Sequence, residues 1–166
     1  MKTEIDIFRD KIWVKNVSNK ILNKKKVHFL LKECFLKTNT IANIIFLNIS
    51  CIDSKTMAKY NEKYRGKPYA TNVLSFELND CDNKIVKYGK KYDFLVLGDM
   101  VLCYEKIKEE AEKYNKTFEE RLYHLIVHSI LHLLGYDHIN DNEREIMEKL
   151  EEKILNKFGI NDIYTY

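Results

Sequence analysis

Four of the five histidines of this 166-residue chain fall between residues 124 and 138, and their spacing dictates how that segment must fold. Thr117 with Glu120 forms a capping box ahead of an apolar helix from Phe118 to Leu134, which Gly135 terminates. His128 and His132 lie four apart on this helix, so both imidazoles project from one face, within reach of a single ion. Gly135 lets the chain turn back, and His138 follows three residues beyond it. The pattern His128-x3-His132-x2-Gly135-x2-His138 can supply three corners of a tetrahedron and leave the fourth open to water or substrate. An open fourth position is what separates a catalytic zinc site from a closed structural one. His124 lies one turn upstream and points away from where His138 must return, so it reads as a core or supporting residue. Asp137 either orients an imidazole or caps the turn. His28 reads as amphipathic surface.

The same histidine spacing occurs in metzincin peptidases, so a metalloprotease has to be weighed. Those enzymes carry a Glu directly after the first ligand to deprotonate the metal-bound water. Here that position is Ser129, a far poorer base at neutral pH. Peptidase chemistry is disfavoured.

Ahead of the histidines, strands and helices interleave. Glu4–Phe8 alternates as a short strand, and apolar residues from Val17 to about Lys37 recur at helical spacing. Ile44–Ile49 is an apolar, β-branched strand. Asp53 can cap a helix running to about Tyr64, with Met57, Tyr60 and Tyr64 as its inner stripe. Arg65–Pro68 is a loop, Asn72–Leu78 a strand, and Asp80–Lys91 a polar connection. The next strand, Phe94–Leu97, ends at Gly98-Asp99, and Cys103–Tyr114 is a polar helix. Asn140 with Glu143 makes a second capping box, for a helix through Phe158 closed by Gly159. The expected fold is an α+β sandwich in a single domain spanning 1–166. One mixed sheet of about four strands is covered by about five helices, with the metal site on a C-terminal helix and the turn after it.

At 45% hydrophobic and 12% aromatic residues, the chain cannot be disordered, collagenous or a coiled-coil array. Cys34, Cys51, Cys81 and Cys103 are widely spaced with no CxxC pair, which argues against a thiolate metal site or a disulfide framework. Met1–Asp10 has no apolar core of a signal peptide, and the apolar runs are far short of a membrane span. A soluble cytoplasmic protein with no membrane partner is expected. The net charge of +3 hides an asymmetry: residues 1–70 carry 15 basic and 6 acidic side chains, residues 71–166 carry 13 and 19. The basic half is either a polyanion-binding face or compositional drift, since 24 of the 28 bases are lysine.

The segment from His128 through Ser129, His132, Gly135 and Tyr136 to Asp137-His138 resembles the signature HGxLHLxGYDH of the YbeY family of bacterial rRNA maturation factors. Asn61–Lys67 followed by Thr71–Phe76 is similar to that family's N-x-x-Y-R and T-D-V-L-S-F stretch, and Leu97–Val101 to its L-G-D-I-V. The resemblance covers residues 61–138 specifically. It implies a metal-dependent, single-strand-directed endoribonuclease of small-subunit (16S) rRNA maturation and ribosome quality control. It places one zinc ion (Zn2+) on His128, His132 and His138, with a functional arginine at Arg65. Its partners would be ribosomal RNA or the pre-ribosomal small subunit, with ribosome-assembly proteins, and not DNA. A three-His metal can polarise a phosphoryl oxygen, and a guanidinium can hold a phosphate bidentately. Two positions depart from the family pattern: Ser129 replaces a Gly, and Asn72 replaces the Asp of T-D-V-L-S-F. The competing reading is a non-catalytic ribosome-assembly factor that zinc merely staples, because no general base is evident in the sequence.

Overall fold

A computed structural model describes residues 21–77 and 91–165. The strand expected at Glu4–Phe8, the start of the first helix at Val17 and most of the polar connection Asp80–Lys91 lie outside the described residues.

Helix α1 (Lys24–Lys37) begins at Asn23, whose side chain accepts from the Lys25 and Lys26 backbone N–H groups. Strand β1 (Ile41–Ile52) hands over to α2 (Ser54–Arg65) at Asp53, whose carboxylate accepts from Thr56 N at 2.8 Å. Then come β2 (Val73–Phe76), β3 (Lys91–Cys103) and three helices, α3 (Tyr104–Lys113), α4 (Phe118–Leu133) and α5 (Asp141–Asn156). The described strands form one mixed sheet in the order β1-β3-β2, with β1 parallel and β2 antiparallel to the central β3. The architecture is the α+β class expected.

The expected end of the Phe94–Leu97 strand at Gly98-Asp99 is corrected. β3 continues to Cys103 because its register against β1 slips between Phe46 and Leu47, leaving Leu97 without a partner. Leu95 and Leu97 face the main core before this bulge, and Met100 and Leu102 face it after, so the slip restores the buried face that a strict alternation would lose. Gly98 makes the irregularity possible. Its φ is +131°, and a Cβ there would stand 2.3 Å from the Phe76 carbonyl oxygen and 3.1 Å from Leu133 Cδ2. The missing side chain thus lets β2 and the end of α4 close on the centre of β3.

α4 is the keystone of the main core. Residues on all sides of it are buried, from Leu122 to Leu133, against α1, α5 and the sheet. The other sheet face carries a smaller cluster of Met57 from α2 with Leu74, Val101 and Cys103. The inner stripe of α2 also differs from expectation. Met57 and Asn61 are buried, while Tyr60 and Tyr64 are 40% and 54% exposed. Asn61 takes the inner position because its Nδ2 donates to the Tyr69 carbonyl at 2.7 Å, tying the following loop to the helix. Among the described residues no helix is long and apolar enough to cross a membrane.

Candidate metal centre

The C-terminal end of α4 builds the site. Thr117 and Glu120 close the expected capping box at the helix start. At the other end Gly135, with φ +90°, donates to the His132 carbonyl at 2.8 Å, while Tyr136 N donates to the Leu131 carbonyl at 3.0 Å. This pair of bonds around a left-handed glycine is the Schellman reversal, and it carries the chain back over the helix face. His138 therefore returns to the pair on α4, and one ring nitrogen from each of His128, His132 and His138 lies within 4.8 Å of the other two. Asp137 resolves as a turn cap: its Oδ1 accepts from His138 N at 2.8 Å.

Two of these imidazoles are locked from behind. His128 Nδ1 donates to Glu151 Oε1 at 2.7 Å, and His132 Nδ1 donates to the Tyr136 carbonyl at 3.0 Å. With both Nδ1 atoms protonated, the Nε2 atoms carry lone pairs, and these face each other at 3.0 Å. Two lone pairs held that close repel unless a cation lies between them, and three neutral imidazoles are a donor set suited to zinc. Burial, and then the neighbouring His128 and His138 rings, hold the His132 imidazole down at about 4, so it is unprotonated at neutral pH. The residues present therefore fit a divalent cation held by His128, His132 and His138.

Behind the triad stands Glu151 of α5, which is fully buried. It takes His128 on one oxygen, and His124 Nε2 at 3.2 Å and the Tyr164 hydroxyl on the other. Burial raises its carboxyl pKa, but the hydrogen bonds and charge of His124 and His128 outweigh that and hold it below the usual carboxylate range. The chain of contacts continues outward. Arg121 reaches His124 Nδ1 at 3.1 Å and Glu110 at 2.8 Å, and Asn72 Nδ2 donates to both Glu110 oxygens, at 3.0 and 3.1 Å. The supporting role expected of His124 is the one it occupies. Asn72 is explained too: an Asp there would turn a donor into a second carboxylate facing Glu110.

The triad opens into a cleft of about 620 Å³ whose lining includes Arg65, Arg121 and Arg144. The chain has only four arginines, so three of them meet here, whereas Lys24, Lys25 and Lys26 are not among the lining residues. Lys26 instead pairs with Glu119 of α4. Arg65 stands at the exposed end of α2, and Glu77 and Glu148 also face the cleft. Sequence reasoning missed Glu151, Tyr164 and Arg144, whose neighbours in the chain look like an ordinary charged helix face and tail.

Ser129, the other departure from the family pattern, is fully buried, and its Oγ has no hydrogen-bond partner among the described residues. Replacing it by alanine removes an unsatisfied hydroxyl and improves helix propensity. Ser129→Ala is expected to stabilise the protein by about 1–2 kcal/mol. A thermal melt checks this: the midpoint should rise by a few degrees, and a fall would mean the hydroxyl is engaged.

The sequence model described as "Endoribonuclease YbeY" matches residues 8–159. Proteins named Endoribonuclease YbeY are similar to this chain. One from Buchnera aphidicola subsp. Schizaphis graminum is 46% identical over 113 residues, which is 68% of this chain and 66% of the relative's length. Another, from Buchnera aphidicola subsp. Acyrthosiphon pisum, is 41% identical over 141 residues, 85% of this chain and 81% of its own. A third, from Stenotrophomonas maltophilia, is 45% identical over 119 residues, covering 72% and 71%. Among solved structures, the solution structure of TM1509 from Thermotoga maritima shares the fold at a TM-score of 0.54 and 23% identity, covering 90% of this chain and 92% of its own. A match over most of the chain, with the histidines gathered as that family's signature requires, places this protein in the endoribonuclease YbeY family.

Proposed function

We propose that this protein is a zinc-dependent endoribonuclease that cuts single-stranded RNA, acting in the cytoplasm on small-subunit rRNA during its maturation and in ribosome quality control. The observation that carries the reading is the pair of Nε2 atoms of His128 and His132, fixed 3.0 Å apart with both Nδ1 atoms already engaged and His138 beside them. A bound zinc ion supplies Lewis acidity toward a phosphoryl oxygen. The chain's own residues do the rest. Glu151 and the Tyr136 carbonyl hold the two α4 imidazoles in their ligating orientation. The Arg65 guanidinium binds the scissile phosphate bidentately and stabilises charge as it builds there. Glu77 and Glu148 line the same cleft and supply the proton acceptor that sequence reasoning had not found.

The test is cleavage of a defined single-stranded RNA by zinc-loaded protein, by protein stripped with chelator, and by Arg65→Ala. Cutting should vanish on chelation and return with zinc. Arg65→Ala should keep its zinc and lose about 10²-fold in kcat, the typical cost of one oriented charge-stabilising donor. An Arg65→Ala protein that cuts at the wild-type rate overturns the phosphate clamp. RNA binding with no zinc-dependent cutting would establish the competing reading, an assembly factor that the metal only braces.

A further inference from the structure

The helix end that delivers Arg65 to the cleft also presents aromatic rings that neither core uses. Tyr60 and Tyr64 sit one turn apart on α2, with ring centroids 6.1 Å apart at 82°. They are 40% and 54% exposed, while the cluster on this side of the sheet closes around Met57, Leu74, Val101 and Cys103 without them. Phe76 of β2 backs the Tyr64 ring at 4.9 Å, edge to face, and Lys63 Nζ stands 5.0 Å from its centroid. The rings are therefore held in place and left open.

The charge around them is predominantly positive. Between residues 53 and 69 stand Lys55, Lys59, Lys63, Arg65 and Lys67, against Asp53 and Glu62. Asp53 is consumed as the α2 cap, on Thr56 N and Oγ1. Residues 62–69 are exposed without a break. Exposed rings interleaved with cations are the make-up of surfaces that hold single-stranded nucleic acid, with bases on the rings and phosphates on the cations. Protein-binding patches share the aromatics but are depleted in lysine, so the four lysines here favour RNA. Tyr64 and Arg65 are consecutive residues, about 3.8 Å apart at Cα. Arg65 lines the cleft and the Tyr64 ring stands round the helix end from it, so a strand with a phosphate on Arg65 reaches that ring by passing around the end of α2.

We propose that the Tyr60–Tyr64 face of α2 is a stacking platform for unpaired bases next to the scissile phosphate, with Lys59, Lys63 and Lys67 tracking the strand's backbone. The proposal rests on the endoribonuclease reading of the cleft and adds where the substrate strand runs. It also assigns the functional part of the basic half of the sequence to α2 and the loop after it.

The experiment measures binding of a short labelled single-stranded RNA to the zinc-loaded full chain by fluorescence anisotropy. It compares wild type with Tyr60→Leu/Tyr64→Leu, which keeps apolar contact with Phe76. A second RNA carries abasic sites flanking the scissile bond. The variant should bind intact RNA about tenfold more weakly for each stack lost. Abasic RNA should weaken wild type to the same degree and leave the variant no worse. Equal affinity for wild type and variant overturns the platform, as does a loss that is identical for intact and abasic RNA. Retained RNA affinity with loss of a pre-ribosomal protein partner would also overturn it, in favour of a protein occupant. If a melt shows the leucine variant misfolded, Lys59→Gln/Lys63→Gln/Lys67→Gln decides: the slope of log affinity against log salt should fall by about two, and an unchanged slope rejects the proposal. Tyrosine-dependent binding by a protein that never cuts RNA would leave the platform standing and defeat the endoribonuclease reading instead.

Discussion

His132→Ala is expected to lose both its zinc and its metal-dependent RNA cleavage. His132 lies at the centre of the triad, with its ring centroid 4.5 Å from that of His128 and 4.9 Å from that of His138. Zinc held by four protein ligands is worth about 10–16 kcal/mol, roughly 3–4 per ligand, so removing one of three should weaken binding by about 10²–10³-fold. At micromolar protein that is the difference between a loaded site and an empty one. Two measurements check it without relying on RNA. Elemental analysis should find zinc in the wild type and almost none in the variant. Added zinc should raise the thermal midpoint of stripped wild type, since an ion that binds only the folded chain stabilises it, and should leave His132→Ala unmoved. Trace nuclease is the hazard in the activity assay, and the same variant controls for it: cutting that survives unchanged in His132→Ala does not come from this site.

The triad was legible because its geometry is local. A helical i,i+4 pair, a glycine reversal and a third histidine all fall within eleven residues, and backbone rules alone bring them together. The helix starts at Asp53, Thr117 and Asn140 were legible for the same reason, each being a side chain bonding to a backbone N–H three residues on. What stayed hidden depends on partners distant in sequence. Glu151 sits in the run Glu148-Lys149-Leu150-Glu151-Glu152, which reads as a solvated helix face, yet its histidine partners lie 23 and 27 residues upstream. The path of β3 through Gly98 was hidden because the bulge breaks the period-two pattern by which a strand is recognised. Tyr60 and Tyr64 misled in the opposite direction. Their spacing with Met57 suits a buried stripe, but Asn61 turns the helix so that a polar side chain faces inward and the rings face out. Hydrophobic spacing identified the helix; only the loop that Asn61 fastens decides which face is buried.

Removing Glu151 should both destabilise the fold and unseat the metal, and two substitutions separate those effects. Glu151→Ala deprives His124, His128 and the Tyr164 hydroxyl of the acceptor they share, a carboxylate that is itself fully buried at the back of the cleft. Breaking a buried charged network by deleting one member costs about 3–5 kcal/mol. In a chain of this size that is a drop of about 6–20 °C in the thermal midpoint. Glu151→Gln keeps the shape and one acceptor oxygen, so His128 Nδ1 retains a partner and the chain should stay folded. The neutral amide no longer offers His128 Nδ1–H a charged acceptor, and its NH2 group offers a donor where His124 or Tyr164 supplies one already. Zinc affinity should therefore fall by about 10–100-fold, the usual range for losing an orienting partner behind a metal-ligating histidine. Competition against a chelating dye measures this directly, and a Glu151→Gln protein that binds zinc as tightly as wild type would reduce Glu151 to packing. The two results together distinguish a carboxylate that tunes the metal from one that only holds α5 to α4, because packing alone moves the melt and leaves the affinity of the folded site unchanged.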